Sequence, residues 1–189
     1  MKSRRLHLKN RESAVENEPS LELADKFWNE AYLDKVLAPS EVFMRVEVLK
    51  AEGKVIVTTN GSFDLLHAGH LHTLYEGKKL GDVFIVALNT DASIRSYKGP
   101  SRPIIPLKYR LQMLAALSFV DFITYFDESD PRKLLKEIGP HVHVNSAEYG
   151  DNCIEKEVVE DGGGYVKLIE KIDGLSTSEV IKKIRACTK

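Results

Sequence analysis

The sequence predicts an α/β protein, a parallel five-stranded sheet with helices on both faces, preceded by an N-terminal helical extension. Three observations predict it. From Lys54 onward, short β-branched or apolar runs alternate with segments of helical periodicity. The boundaries between them carry stop and start signals, among them Asp130-Pro131, Gly139-Pro140 and Gly162-Gly163-Gly164. The chain has 189 residues, 43% hydrophobic and 29% charged, which suits one globular domain with an appendage.

Taken in order, residues 1–19 are polar and charged, and read as a tail. Leu23, Phe27, Trp28, Ala31, Leu33 and Val36 then mark one face of a helix from Leu21 to Leu37. Ser40 is the expected cap of a second helix that buries Val42, Phe43, Val46 and Leu49 and ends at Gly53. These helices would form a lid, a dimer contact or a brace against the first strand. The expected organisation is therefore a tail and helical extension over 1–52, then a domain over 53–189. Strands are expected at 54–59, 83–89, 120–125, 141–145 and 165–169. Helices are expected near 69–80, 106–118, 131–138, 152–161 and 177–186, with Gly81 capping the first of these. The 162–164 glycines read as a turn, because neither Lys-Ser nor Lys-Thr follows them.

A net charge of −1 provides no global basic field for nucleic acid, so an anionic ligand has to be met locally. The two cysteines, Cys153 and Cys187, have no metal-type spacing and fit a reducing compartment. The longest apolar run, Val83 to Leu88, is too short to cross a membrane. Together these predict a cytoplasmic protein with no membrane and no nucleic-acid partner.

Four stretches carry chemistry. The first is Thr58 to His70, lying between a strand and a helix. His67 and His70 are three apart, so they point the same way on the first helical turn, and Gly69 between them opens the backbone. A helix N-terminus has free N–H groups and partial positive charge, so two imidazoles there make a phosphate site, or else a cap and a packed surface residue. The second stretch, Lys98-Gly99-Pro100-Ser101-Arg102-Pro103, is a stiff loop whose two cations suit a polyphosphate or form an exposed basic turn. It follows Asn89-Thr90-Asp91, the end of a strand and the cap of a short helix. The third is Arg110 in Pro106-Leu107-Lys108-Tyr109-Arg110. An arginine this early opposes the helix dipole, so it either binds an anion or is simply solvated. The fourth, Gly174-Leu175-Ser176-Thr177-Ser178, puts three hydroxyls at a helix start, for capping or for phosphate.

The Gly61-x-Phe63-Asp64 lead-in with His67-x-Gly69-His70 resembles the H-x-G-H signature of the nucleotidyltransferase superfamily, which has a Rossmann-like fold. In order, Thr59-Asn60-Gly61, Asn89-Thr90-Asp91-Ala92, Lys98 to Pro103, Pro106 to Arg110 and Gly174 to Thr177 resemble the adenylyltransferases that make ADP-activated heptose for lipopolysaccharide. The resemblance covers about two thirds of the chain, from about Gly53 to Lys183. It implies transfer of a nucleoside monophosphate from an NTP, ATP before CTP, to a small phosphorylated acceptor such as heptose 1-phosphate, with release of pyrophosphate. By the same resemblance, His67, His70, Lys98 and Arg110 are catalytic. Thr59, Asn60, Gly61, Ser62, Phe63, Gly69, Asn89, Asp91, Arg102, Asn145, Glu148, Ser176, Thr177 and Ser178 contact the nucleotide. Mg2+ would bridge phosphate oxygens rather than sit in a protein cage.

Glycerol-3-phosphate cytidylyltransferase is similar in the histidine and Ser-Thr motifs, and poorer through Lys98–Arg110. The heptose family usually reads Lys-Gly-Gly-Asp-Tyr where this chain has Asn145-Ser146-Ala147-Glu148-Tyr149. That departure bears on base and sugar, not on the histidines. A non-catalytic nucleotide binder on the same fold stays open. A dinucleotide-binding domain would need Gly-x-Gly-x-x-Gly after the first strand, which Gly61-Ser62-Phe63-Asp64 does not supply. A homodimer is expected from the apolar faces before residue 53.

Overall fold

The computed structural model describes residues 32–170, 172 and 176–187. The expected tail and most of the expected helix from Leu21, including Trp28, lie outside the described residues. The end of that helix is corrected. Leu33–Lys35 is a short 3-10 turn, and Val36 makes a parallel bridge to Ile123. The Leu37 N–H then donates to the Ile123 carbonyl at 2.8 Å, so the chain here runs along the sheet edge.

Helix α1 spans Pro39–Ala51. Its cap is Ala38 rather than Ser40: Pro39 takes the first helical position, and Glu41 reaches back to the Ala38 N–H at 2.7 Å. Val42 and Val46 are fully buried, as their spacing predicts. Of the three roles open to this helix, a brace is the one observed. Both valines pack with Ile56, Ile85, Leu134 and Ile138, and Lys50 Nζ donates to the Ile138 carbonyl at 2.7 Å. Each valine so buried contributes roughly 1.5–3 kcal/mol.

The elements then alternate as β1 Ile56–Gly61, α2 Ala68–Lys78, β2 Val83–Asn89, α3 Asp91–Lys98, α4 Leu107–Ala115 and β3 Phe122–Phe126. They continue as α5 Arg132–Ile138, β4 Val142–Ser146, a 3-10 stretch Ala147–Asn152, α6 Lys156–Asp161, β5 Tyr165–Ile169 and α7 Thr177–Cys187. The five strands are parallel in the order β3-β2-β1-β4-β5. On one face Val57, Val86, Leu88, Val142 and Val144 meet Leu74 of α2 and Leu111 and Leu114 of α4. On the other, Ile56, Ile85 and Ala87 meet α1 and α5. The chain builds outward from β1 to β3 and then returns to the far side of β1 as β4. The carboxyl ends of β1 and β4 are thus the switch point where such sheets hold ligands.

Gly81 does not cap α2, which closes at Lys79. A Cβ at Gly81 would sit 2.6 Å from Val57 Cγ2 and 2.7 Å from the Val55 carbonyl oxygen, so the glycine is there for close packing. Gly81→Ala is expected to cost about 1–3 kcal/mol in urea unfolding, the usual range for overpacking.

His143 lies fully buried on β4, its Nδ1 2.8 Å from Thr58 Oγ1. Burial pushes its imidazole from 6.5 down to about 3. The unfolded chain therefore binds a proton that the folded chain refuses between those values. Stability should be full above pH 6.5 and fall as pH drops toward about 3. Urea unfolding across that window checks it, and His143→Asn should flatten the profile.

Candidate active site

A cleft of about 510 Å³ opens over the carboxyl ends of β1, β2 and β4. His67 and His70 both line it. Their rings stack with centroids 3.8 Å apart and planes 23° apart. His67 caps α2 with an extended backbone, its Nδ1 accepting from the His70 N–H at 3.4 Å. A neutral ring that accepts at Nδ1 carries its proton at Nε2. Phe63, the non-glycine residue with positive φ (44°) among the described residues, sets its ring edge-on to His70 at 5.3 Å.

Asp64 explains the lead-in motif structurally. It is 1% exposed. One oxygen accepts from the Ile104 and Ile105 N–H groups at 2.7 and 2.8 Å, and the other from Arg102 Nε at 2.6 Å. This carboxylate ties the 99–106 loop to the turn after β1. Lys98, at the end of α3, donates to Ser62 Oγ at 3.0 Å. Its pKa is held below the usual lysine range, first by burial and then by Arg102. The attraction of an anion in the cleft would oppose both effects by favouring the charged lysine.

The cleft brings together Thr59, Asn60, Gly61, Ser62, Phe63, His67, Gly69, His70, Asn89, Lys98, Glu148, Ser176, Thr177 and Ser178. Ser176 also caps α7, accepting from the Glu179 N–H at 3.2 Å. Gly174 and Leu175 of that motif lie outside the described residues. Four other candidates are placed elsewhere. Arg110 is 0% exposed, neither solvated nor facing the cleft. Its guanidinium donates to the Ile105, Ser62 and Asn89 carbonyls and to Asp91 Oδ1. Asp91 holds that arginine and the Leu107 N–H. Arg102 lies in a neighbouring recess with Lys182 and Arg185 of α7. Asn145 sits beneath the cleft, donating to Glu155 Oε2 at 3.2 Å.

Sequence reasoning passed over Thr73, Tyr97, Ser129, Pro131, Ser146, Ile154 and Glu155, which also line the cleft. Tyr97 immediately precedes Lys98 at the end of α3. Nothing local marks Glu155.

Among the described residues no group of three or more His, Cys, Asp or Glu side chains is placed to hold a metal ion. No helix among them is long and apolar enough to cross a membrane.

A stacked histidine pair sits at the first turn after β1, over the switch point of a parallel sheet, and the family match and the relatives that share this chain's sequence place it in the nucleotidyltransferase class. The chain belongs to the cytidylyltransferase-like family, whose model matches residues 58–183. It is 44% identical over 140 residues to the bifunctional protein HldE of Syntrophotalea carbinolica, covering 74% of this chain and 29% of that protein. It is 46% identical over 135 residues to the protein of the same name from Citrifermentans bemidjiense, covering 71% and 28%. The chain thus spans less than a third of the curated relatives it matches. A crystal structure of the lipopolysaccharide core biosynthesis protein from Thermoplasma volcanium is similar at 30% identity and a TM-score of 0.53, covering 64% of this chain and 98% of that one. The pantoate-beta-alanine ligase of Francisella tularensis, 18% identical with a TM-score of 0.60 over 78% and 72% of the two chains, shares the fold.

Proposed function

We propose that the chain transfers the nucleoside monophosphate of ATP to a sugar phosphate, heptose 1-phosphate being the first candidate. The observation that carries this is the His67–His70 stack at the N-terminus of α2, in one cleft with Lys98 and the 176–178 hydroxyls. An oxygen of the acceptor phosphate attacks the α-phosphorus, and the bond from that phosphorus to the pyrophosphate oxygen breaks. A phosphate monoester is largely ionised near neutral pH, its second pKa being about 6, so no general base is required. Rate then comes from positioning and from donors aimed at developing charge. His67 and His70, the N–H groups of Ala68 and Gly69 at the start of α2, and Lys98 supply those donors. Arg110 and Asp64 act one step back, by fixing the loops that carry Ser62 and Lys98.

A divalent ion fits the donor set as cargo of the nucleotide. Glu148 is an exposed carboxylate lining the cleft, enough to meet a hydrated ion but not to cage one. When bound, it would neutralise phosphate charge.

The choice of ATP and heptose 1-phosphate follows the motif order and the HldE relatives. The Asn145–Glu148 loop is where the acceptor or base could differ. Pyrophosphate release is the test, with ATP or CTP against heptose 1-phosphate or glycerol 3-phosphate. ATP with heptose 1-phosphate should exceed the other three pairings. Nucleotide binding with no pyrophosphate from any pairing overturns the enzyme reading.

A further inference from the structure

Glu155 is a carboxylate only 5% exposed, yet it lines the cleft. Its hydrogen-bond partners among the described residues are neutral donors: Asn60 Nδ2 at 3.4 Å, Asn145 Nδ2 at 3.2 Å and Cys153 Sγ at 3.3 Å; the Arg132 guanidinium, hydrogen-bonded to Asp130, acts on it only through space. The Cys153 thiol is itself pushed up by burial and by this carboxylate, so it stays protonated and donates. A carboxylate has about four acceptor positions, and burying one with no cation hydrogen-bonded to it is costly. Long contacts to two amides and a thiol satisfy only part of that capacity. An independent observation lies beside it. Asn60 Oδ1 is buried and has no hydrogen-bond partner among the described residues. Unmet acceptor capacity therefore gathers where the cleft meets the ends of β1 and β4. The donors of the site, by contrast, come from the start of α2 and the end of α3.

This polarity assigns the two regions to different parts of a substrate. A phosphate placed on Glu155 would be repelled, whereas a hydroxyl or amino group would supply the missing donor. We propose that Glu155, positioned by Asn145 and Cys153 and assisted by Asn60 Oδ1, is a specificity-determining residue that accepts hydrogen bonds from the non-phosphate part of a substrate. The donor is a hydroxyl or amino group, borne either by the nucleoside or by the acceptor. This rests on the proposed function and extends it to substrate choice.

The test uses the full chain and its Glu155→Gln variant. Titration calorimetry without metal gives Kd for ATP and for tripolyphosphate, which carries the phosphates alone. Pyrophosphate release gives KM for heptose 1-phosphate at saturating ATP. Losing a hydrogen bond to a charged group should weaken one of ATP or heptose 1-phosphate by tenfold or more. The tripolyphosphate Kd should stay within twofold. A change confined to ATP assigns the donor to the nucleoside, and one confined to KM assigns it to the acceptor. Two results overturn the proposal: ATP and heptose 1-phosphate both within twofold of the parent, or tripolyphosphate weakened in step with them. Should Glu155→Gln fail to fold, Glu155→Asp keeps the charge but withdraws it from the cleft, and is read by the same ratios. Parent protein that binds neither ATP nor tripolyphosphate overturns the underlying function, and that is read before any variant.

Discussion

Pyrophosphate release by His70→Ala is expected to fall a hundredfold or more while the fold persists. His70 stands on the first turn of α2 and faces the cleft beside His67. Removing one preorganised donor to developing phosphate charge typically costs 10²–10³ in rate, about 3–4 kcal/mol of barrier. The structural loss is smaller. The ring gives up a stack on His67 and an edge contact to Phe63, together worth about 1–2 kcal/mol. Turnover of the variant beside its thermal melt separates the two quantities. Release at the parent rate would remove His70 from the reaction.

The second large effect runs the other way. Arg110→Met should cost about 3–5 kcal/mol of stability, the range for removing one partner of a buried ion pair. Three carbonyl oxygens lose their donor and the Asp91 carboxylate loses its cation. Arg110→Lys should not rescue it, because one ammonium cannot span four acceptors held in different directions. Urea unfolding measures the loss, and activity per folded molecule should fall far less than for His70→Ala. An Arg110→Met protein as stable as the parent but inactive would return this residue to ligand binding.

These two residues show how differently motif and geometry speak. Both sit in short patterns that single them out from sequence. For His70 the pattern contains its own geometry: strand, turn and first helical turn place the ring within a few residues of the backbone that positions it. For Arg110 the pattern marks only that an arginine stands where the helix dipole disfavours one. The reason, a link between Ser62, Asn89 and Asp91, involves partners 48, 21 and 19 residues away. Arg102 is a similar case, its cation claimed by Asp64 at a separation of 38.

Local chemistry alone determined the alternation of strands and helices, the parallel sheet and the histidine turn, because periodicity, caps and turn residues act over a few positions. Helix ends moved where a tertiary contact outweighed a cap, as at Gly81 against Val57. The tertiary structure decided which charges face the cleft. Asn60 and Glu155 are 95 residues apart, and only the pairing of β1 with β4 brings them together. A side chain's neighbours across a sheet depend on strand order, and strand order is settled by how both faces bury their apolar groups rather than by any single segment.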